Sequence, residues 1–265
     1  MARIRSGTEI RDQILSECRS RVEAVTAKGR PPGLAVVLVG DDPASHIYVR
    51  HKVEACGSLG IYSEKLTPSG SATTEEVLAL RDSLNRRDDI DGILVQMPLP
   101  PQIDSRKILL AVSPEKDVDA FHPVSVGNLV ANRPGPRPCT PAGIIEMLKR
   151  YDIPIAGRNA VVVGRSDIVG KPMAMLLLHE HATVTICHSR THDLPGVCRS
   201  ADIVVAAIGR PAFIGSNHIG EGAVVVDVGI NRLDTRADVD RIFQGSEKKL
   251  AAFDKKGSVI VGDVD

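Results

Sequence analysis

The chain has 265 residues, enough for one large or two ordinary domains with a sizeable core. Lysine plus arginine and aspartate plus glutamate stand at 33 each, a balance that argues against holding nucleic acid or an anionic membrane by bulk electrostatics. Hydrophobic content of 43% and charged content of 25% are those of a soluble globular protein, and with aromatics at 3% the core must be built from Val, Ile, Leu and Ala, as in parallel sheets buried on both faces.

The N-terminal stretch MARIRSGTEIRDQILSECRSRVEAV lacks the apolar core of a signal peptide and reads as an amphipathic helix from about Glu9. No apolar run reaches transmembrane length, so the cytoplasm is the expected location. Lys28 to Gly33 is a turn, and Leu34 to Gly40 a buried strand ending in glycine. Asp41, Asp42 and Pro43 turn the chain, and Ser45 precedes a helix with Val49, Val53, Cys56 and Leu59 on one face. On that helix Tyr48 and Lys52 are four apart and lie one above the other, just past the carboxyl end of a strand. Ligands bind at that rim in open α/β sheets. A ring and an ammonium there could clamp a flat, electron-poor heterocycle; alone, the pair also fits an exposed face covering apolar surface with its stems.

Ile61 to Leu66 is a second strand, Thr73 or Thr74 caps a helix through Val77, Leu80 and Leu84, and Ile93 to Gln96 is a third strand stopped by Pro98, Pro100 and Pro101. A short helix follows over Ser105 to Val112. This βαβαβ order predicts a parallel sheet and sets Gln96 at a strand's carboxyl end, where its amide can accept from Lys52 and donate to a substrate. In PEKDVDAFHP, Asp117 and Asp119 point the same way if the segment is extended, whereas in a turn only one need face the site. A carboxylate there can take two parallel hydrogen bonds from an amidine-like edge such as that of a pterin. Asn132 to Pro138 looks like a domain linker, and Cys139-Thr140-Pro141 caps a helix over Ala142 to Tyr151.

From Asn159 the pattern restarts: strand Ala160 to Gly164, loop Arg165 to Gly170, helix Pro172 to His181, then strands Thr183 to Cys187, Ile203 to Ala207 and Ala223 to Val228. Gly164 and Gly170 bracket the first strand-to-helix turn without strict GxGxxG spacing, yet in the right context for phosphate binding at a helix N-terminus. The second strand ends in Cys187-His188-Ser189-Arg190-Thr191, with no acid before Asp193 to take ribose hydroxyls. A hydroxyl and a guanidinium there, with Arg165 nearby, suit the 2′-phosphate of NADP better than NAD. Asp227 to Asn231 ends a strand with a Gly and an Asn, and could set backbone groups beside a nicotinamide ring. His179-Glu180-His181 is not read as a metal site, because alternate residues on a helix point apart. The five cysteines (Cys18, Cys56, Cys139, Cys187 and Cys198) contain no CxxC and favour free thiols in a reducing compartment.

In this order, the segments VGDDPASHIYVRHK, DGILVQMPLP, PEKDVDAFHPVSVGNL, PCTPAGI, GRNAVVVGRSDIVGKPMAMLL and GAVVVDVGINR resemble the bifunctional methylenetetrahydrofolate dehydrogenase/methenyltetrahydrofolate cyclohydrolase family. The resemblance runs through nearly the whole chain. It implies an N-terminal three-layer, parallel-sheet catalytic domain over residues 1–138 and a C-terminal NADP-binding Rossmann domain over 139–265, a folate cleft between them, and a homodimer through the Rossmann domain. It implies Tyr48 stacked on the folate, Lys52 as catalytic lysine, Gln96 assisting it, Asp119 anchoring the pterin, and Pro98 and Leu99 beside the substrate. Gly164, Arg165, Ser166, Ile168, Ser189, Arg190 and Ile230 fall where the family holds NADP. The implied activity is NADP-dependent oxidation of 5,10-methylenetetrahydrofolate and hydrolysis of the methenyl product to 10-formyltetrahydrofolate, in one-carbon metabolism. Ring alignment does most of the work of the hydride step, whereas hydrolysis needs a proton carrier, the role expected of Lys52.

Three features depart from the family pattern. Ala120 stands where Gly usually follows the anchoring Asp, and Asp234 to Lys256 reads as a charged helical insertion. The sequence stops at Val261-Gly262-Asp263-Val264-Asp265, where the family continues into a Pro-Val-Pro-Gly-Gly-Val-Gly segment and a terminal helix. Two rival readings are a short-chain dehydrogenase and a dinucleotide-binding protein without catalysis; a dehydrogenase without cyclohydrolase activity is a third. In the first, the Tyr-x-x-x-Lys pair follows the Gly-rich turn in one domain, whereas here it precedes that turn by more than a hundred residues. The second has no need of Lys52, Gln96 and Asp119 together.

Overall fold

The computed structural model describes residues 3–243 and 246–265, which form two compact units, Met1–Cys139 and Thr140–Asp265. In the first unit, helix α1 (Gly7–Thr26) precedes strand β1 (Gly33–Val37), helix α2 (Pro43–Leu59), strand β2 (Tyr62–Leu66), helix α3 (Thr74–Asn85) and strand β3 (Gly92–Val95). Two short helices follow, α4 (Ser105–Ala111) and α5 (Pro123–Val130). The sheet is parallel, in the order β2-β1-β3, with Val37 of β1 opposite Leu66 and Val95.

Strand β1 and its extension bury both faces. Ala35, Val37 and Val39 pack with Val77, Leu84 and Ile108 on one side, and Val36 and Leu38 with Val49 and Leu94 on the other. Alternate side chains of a strand point to opposite faces, so a continuous Val/Leu run is the signature of a sheet covered by helices on both sides. The N-cap of α2 is Asp42, not Ser45: the Asp42 carboxylate accepts the Ser45 amide at 2.8 Å, and Ser45 lies buried in the first turn. An acid three residues ahead outcompetes a serine already inside the helix. Of the two candidate threonines, Thr73 caps α3, in a reciprocal box with Glu76.

The second unit begins inside helix α6 (Cys139–Arg150), followed by strand β4 (Asn159–Val163), helix α7 (Gly170–His179), strand β5 (Thr183–Cys187), helix α8 (Leu194–Arg199), strand β6 (Ile203–Ala206) and strand β7 (Val224–Asp227). The sheet is parallel in the order β5-β4-β6-β7. Helix α6 starts at Cys139 rather than Ala142, because a proline in a helix's first turn lacks only an N–H that would have had no intrahelical partner. Helix α7 stops at His179, and His181 turns the chain at φ 67°.

The charged stretch after Asn231 is partly helical. A small antiparallel pair, strands β8 (Asn231–Leu233) and β9 (Val259–Val261), encloses helices α9 (Arg236–Ile242) and α10 (Glu247–Lys256). The lobe has its own core of Leu233, Val239, Val259 and Val261, with Phe243 and Phe253 packed against it. Gln244 and Gly245, within the stretch expected to be an insertion, lie outside the described residues. Among the described residues no helix is long and apolar enough to cross a membrane.

Ile108, on α4, is fully buried in the core shared with β1 and α3. Ile108→Ala is expected to lower unfolding stability by about 2–5 kcal/mol, and Thr73→Ala by only ~1, both read as shifts of the urea midpoint at constant slope.

Candidate active site

The register of β1 with β3 brings the start of α2 and the end of β3 to one rim of the first sheet. There the Lys52 ammonium donates to Gln96 Oε1 at 3.1 Å. The Gln96 amide nitrogen donates to the Met97 carbonyl at 2.7 Å, which fixes the amide with its oxygen toward Lys52. Lys52 is half-buried, its ammonium held by a neutral acceptor. Tyr48, one turn earlier on α2, is 40% exposed. Pro98 is exposed on the same rim, while Leu99 is half-buried against the core.

The two acids of the PEKDVDAFHP loop separate. Asp117 is buried: Asp117 Oδ2 accepts from the His122 amide and from the Ser125 hydroxyl, each at 2.8 Å, and the residue bridges to Ile93 of β3. It is the anchor of the loop. Asp119 is the acid presented at the site. Burial raises its pKa above the ordinary carboxylate value, the Lys52 ammonium pulls it back down, and the Asp117 charge raises it. Between this acid and the next turn, Ala120 is buried at φ 58°. A left-handed backbone favours glycine, so the residue type usual in the family fits this turn without strain, and alanine holds it at a cost of about 1–2 kcal/mol.

Cys139 completes the cluster, a role its helix-capping position does not reveal in sequence. Its thiol lies 3.7 Å from Asp119 Oδ1 and 3.7 Å from the Val118 carbonyl. Crowding by protein atoms and the Asp119 charge push the thiol up to about 11, although the residue keeps an exposed surface. The thiol is therefore the protonated, donating partner at neutral pH.

In the second unit, β4 and β6 are neighbours although α7, β5 and α8 come between them in sequence. The chain leaves β4 toward β5 on one side and returns to β6 on the other, so a topological switch point lies between the carboxyl ends of β4 and β6, where open α/β sheets take their ligands. Gly164 sits there at φ 134°, where a Cβ would come within 2.2 Å of the Ala207 carbonyl oxygen. A Cβ on Gly170 would come within 2.4 Å of the Gly164 oxygen. Both glycines are required by sterics, and the turn they form leads into the N-terminus of α7. Ser166 Oγ accepts the amides of Val169 and Gly170 at 3.2 Å each.

Arg165, Ser166 and Ile168 on this turn are exposed, as are Ser189 and Arg190 beyond β5. The latter turn is tied by the His188 amide to Thr191 Oγ1 at 2.8 Å and by the Arg190 amide to His188 Nδ1 at 3.1 Å. Among the described residues neither Arg165 nor Arg190 forms an ion pair, so both guanidinium groups remain available to an anion. Asp193, the nearest acid, spends its carboxylate capping α8. Ile230, in the turn after β7, is 62% exposed.

Fold and site together define a two-unit α/β protein with a lysine–amide–carboxylate cluster at one parallel sheet and a dinucleotide-type turn at another. Residues 6–119 match the family description "Tetrahydrofolate dehydrogenase/cyclohydrolase, catalytic domain", and residues 138–265 match "Tetrahydrofolate dehydrogenase/cyclohydrolase, NAD(P)-binding domain". The bifunctional protein FolD of Solibacter usitatus is 62% identical over 265 residues, covering 100% of this chain and 87% of the relative. The bifunctional FolD structure from Campylobacter jejuni is 41% identical, with a TM-score of 0.86 over 98% of this chain and 84% of that one. The Trypanosoma brucei methylenetetrahydrofolate dehydrogenase-cyclohydrolase, solved with NADP cofactor and inhibitor, is 34% identical, with a TM-score of 0.87 over 99% of this chain and 85% of that one. The chain belongs to the tetrahydrofolate dehydrogenase/cyclohydrolase family.

The raised pKa of Asp119 gives a signed expectation. A carboxyl whose folded pKa exceeds its unfolded value contributes stability below the unfolded pKa and loses it as pH rises through the folded one. Asp119→Asn is therefore expected to raise the thermal midpoint at neutral pH. That gain should shrink toward zero as pH falls below the ordinary carboxylate range, a trend that thermal unfolding across pH would reveal.

Proposed function

We propose that this chain oxidises 5,10-methylenetetrahydrofolate with NADP to 5,10-methenyltetrahydrofolate and hydrolyses that product to 10-formyltetrahydrofolate. The observation that carries the reading is the Lys52–Gln96 hydrogen bond at 3.1 Å beside an acid whose charge Lys52 feels. An ammonium held by a neutral amide, next to a carboxylate, is the equipment for moving protons around a cationic amidinium carbon.

Tyr48 offers its ring as a stacking surface for the folate. Asp119 takes the paired N–H donors of the pterin edge, Asp117 fixes the loop that carries it, and the Cys139 thiol donates to Asp119 Oδ1. Pro98 and Leu99 border the same rim. In the hydrolytic step, water adds to the one-carbon bridge and releases a proton to solvent. The Lys52 ammonium then gives a proton to the departing ring nitrogen as the C–N bond breaks and recovers one from the adduct's hydroxyl, which becomes the formyl carbonyl, while Gln96 orients the lysine through both transfers.

The second unit fits a dinucleotide. The Gly164–Gly170 turn, packed too tightly on its own backbone to admit a Cβ, leads into the N-terminus of α7, and Arg165 and Arg190, without an ion pair among the described residues, offer with Ser189 cationic and hydroxyl groups suited to a 2′-phosphate. Bound there, NADP supplies the acceptor for the hydride. Ser166, Ile168 and Ile230 border that turn and the neighbouring strand ends. The 62%-exposed Ile230 offers an apolar surface to a flat ring. We further infer a homodimer formed through the second unit and a cytoplasmic location. The five unpaired thiols support the latter.

Lys52→Met tests the assignment. Hydrolysis of methenyltetrahydrofolate is expected to fall by about 10² to 10⁴, while folate and NADP binding persist. Full hydrolytic activity in that variant would remove Lys52 from the chemistry.

A further inference from the structure

Asp263 is fully buried, yet its carboxylate is surrounded by donors. Oδ2 accepts the amides of Ile208 at 2.7 Å and Gly209 at 3.0 Å; Oδ1 accepts the amide of Arg210 at 2.8 Å and the Asn231 side-chain amide at 2.9 Å. The first three donors belong to one loop, which leaves the carboxyl end of β6. The fourth follows the turn that carries Ile230.

The segment holding Asp263 is itself held. Asp227, at the end of β7, accepts the Asp263 amide at 2.8 Å and the Val264 amide at 3.2 Å. The Ala212 amide donates to the Gly262 carbonyl at 3.0 Å and the Ile214 amide to the Asp263 carbonyl at 2.9 Å. A Cβ on Gly262 would meet Asp227 Oδ2 at 1.6 Å, and one on Gly229 would meet the Asp263 carboxyl at 2.4 Å. Asp227 thus holds the segment from which Asp263 grips the β6 loop, a two-acid clamp closed by two glycines that admit no side chain.

The clamp lies beside the switch point. Its β6 loop begins at Ala207, whose carbonyl oxygen is what a Cβ on Gly164 would strike. One wall of the crevice is the Gly164–Gly170 turn, and the other is the loop that Asp263 shapes. We propose that Asp263 is a positioning residue for the dinucleotide. By gathering four donors onto one buried carboxylate, it presets the Ile208–Arg210 loop and the Ile230 turn in the shape the cofactor meets, so that binding does not have to order them. This rests on the NADP reading above.

Asp263→Asn is a sharp probe because no orientation of the amide satisfies the site. Each carboxylate oxygen faces two donors, so the Nδ2 group must oppose a pair of N–H groups whichever way the amide is placed. The Kd for NADP should rise about tenfold or more, with hydrolysis of methenyltetrahydrofolate, which uses no dinucleotide, unchanged. Hydrogen exchange at the Ile208, Gly209 and Arg210 amides should accelerate. Asn231→Ala, which removes one donor of the four, should shift NADP affinity in the same direction by less.

An unchanged Kd in both variants would overturn the proposal. So would a parallel loss of NADP binding and hydrolysis, which would mark a general structural role. If Asp263→Asn does not fold, two measurements decide: Asn231→Ala, and amide exchange in the wild-type protein without cofactor. Protected amides at 208–210 with weakened NADP binding by Asn231→Ala support the clamp, and fast-exchanging amides overturn it. Wild-type protein that binds no NADP would overturn the functional reading itself, and this proposal with it, before any variant is made.

Discussion

The parallel pairing of adjacent strands decides where chemistry can occur in each unit. In the first, β3 lies against β1, with Val37 opposite Val95, and the Gln96 amide donates its backbone N–H to the Val37 carbonyl. That register sets the side chain ending β3 within hydrogen-bond reach of a lysine on the helix that follows β1. A slip of one residue would send Gln96 to the opposite face of the sheet. The same constraint recurs in the second unit, where the pairing of β4 with β6 sets Gly164 against the loop leaving β6. Each unit thus gathers its working groups at the carboxyl edge of a parallel sheet, from segments distant in sequence.

Carboxylates do most of the shaping, and their differing partners give them different work. Asp117 is used up on the His122 amide and the Ser125 hydroxyl. Its neighbour Asp119 is left facing a thiol and, through space, an ammonium. In the second unit Asp227 and Asp263 take backbone amides and fix loops, and Asp193 caps a helix. Of these five acids Asp119 takes no backbone amide among the described residues, and a carboxylate whose acceptors are not filled by the backbone is one that a substrate can fill.

Much of this was legible in the sequence. Apolar runs ending in glycine located the first strand of each sheet, and the four-residue spacing of Tyr48 and Lys52 with a Gln ending the third strand pointed to the rim. The absence of an acid before Asp193 pointed to a 2′-phosphate. The rest was hidden for physical reasons. Ser45 read as the residue before the helix, but the helix starts at Pro43 with Asp42 as its cap. The period-two pair Asp117 and Asp119 could not be told apart, because which one turns inward depends on Ser125 and on the bridge to Ile93. Cys139 read as a helix start, since nothing local says that its thiol meets Asp119. The Asp263 clamp joins residues 53 to 55 positions apart, a separation that no periodicity or capping rule reports. Long-range pairing of polar groups is where single-sequence reading runs out.

The most direct test of the account follows the two steps separately in one reaction. The purified 265-residue chain is supplied with 5,10-methylenetetrahydrofolate and either NADP or NAD, and cofactor reduction and methenyl accumulation are recorded in parallel. The account predicts reduction that is faster with NADP and no build-up of the methenyl intermediate, because Lys52 hydrolyses it as it forms. Persistent methenyl accumulation, or no reduction with either cofactor despite binding of both ligands, would contradict it.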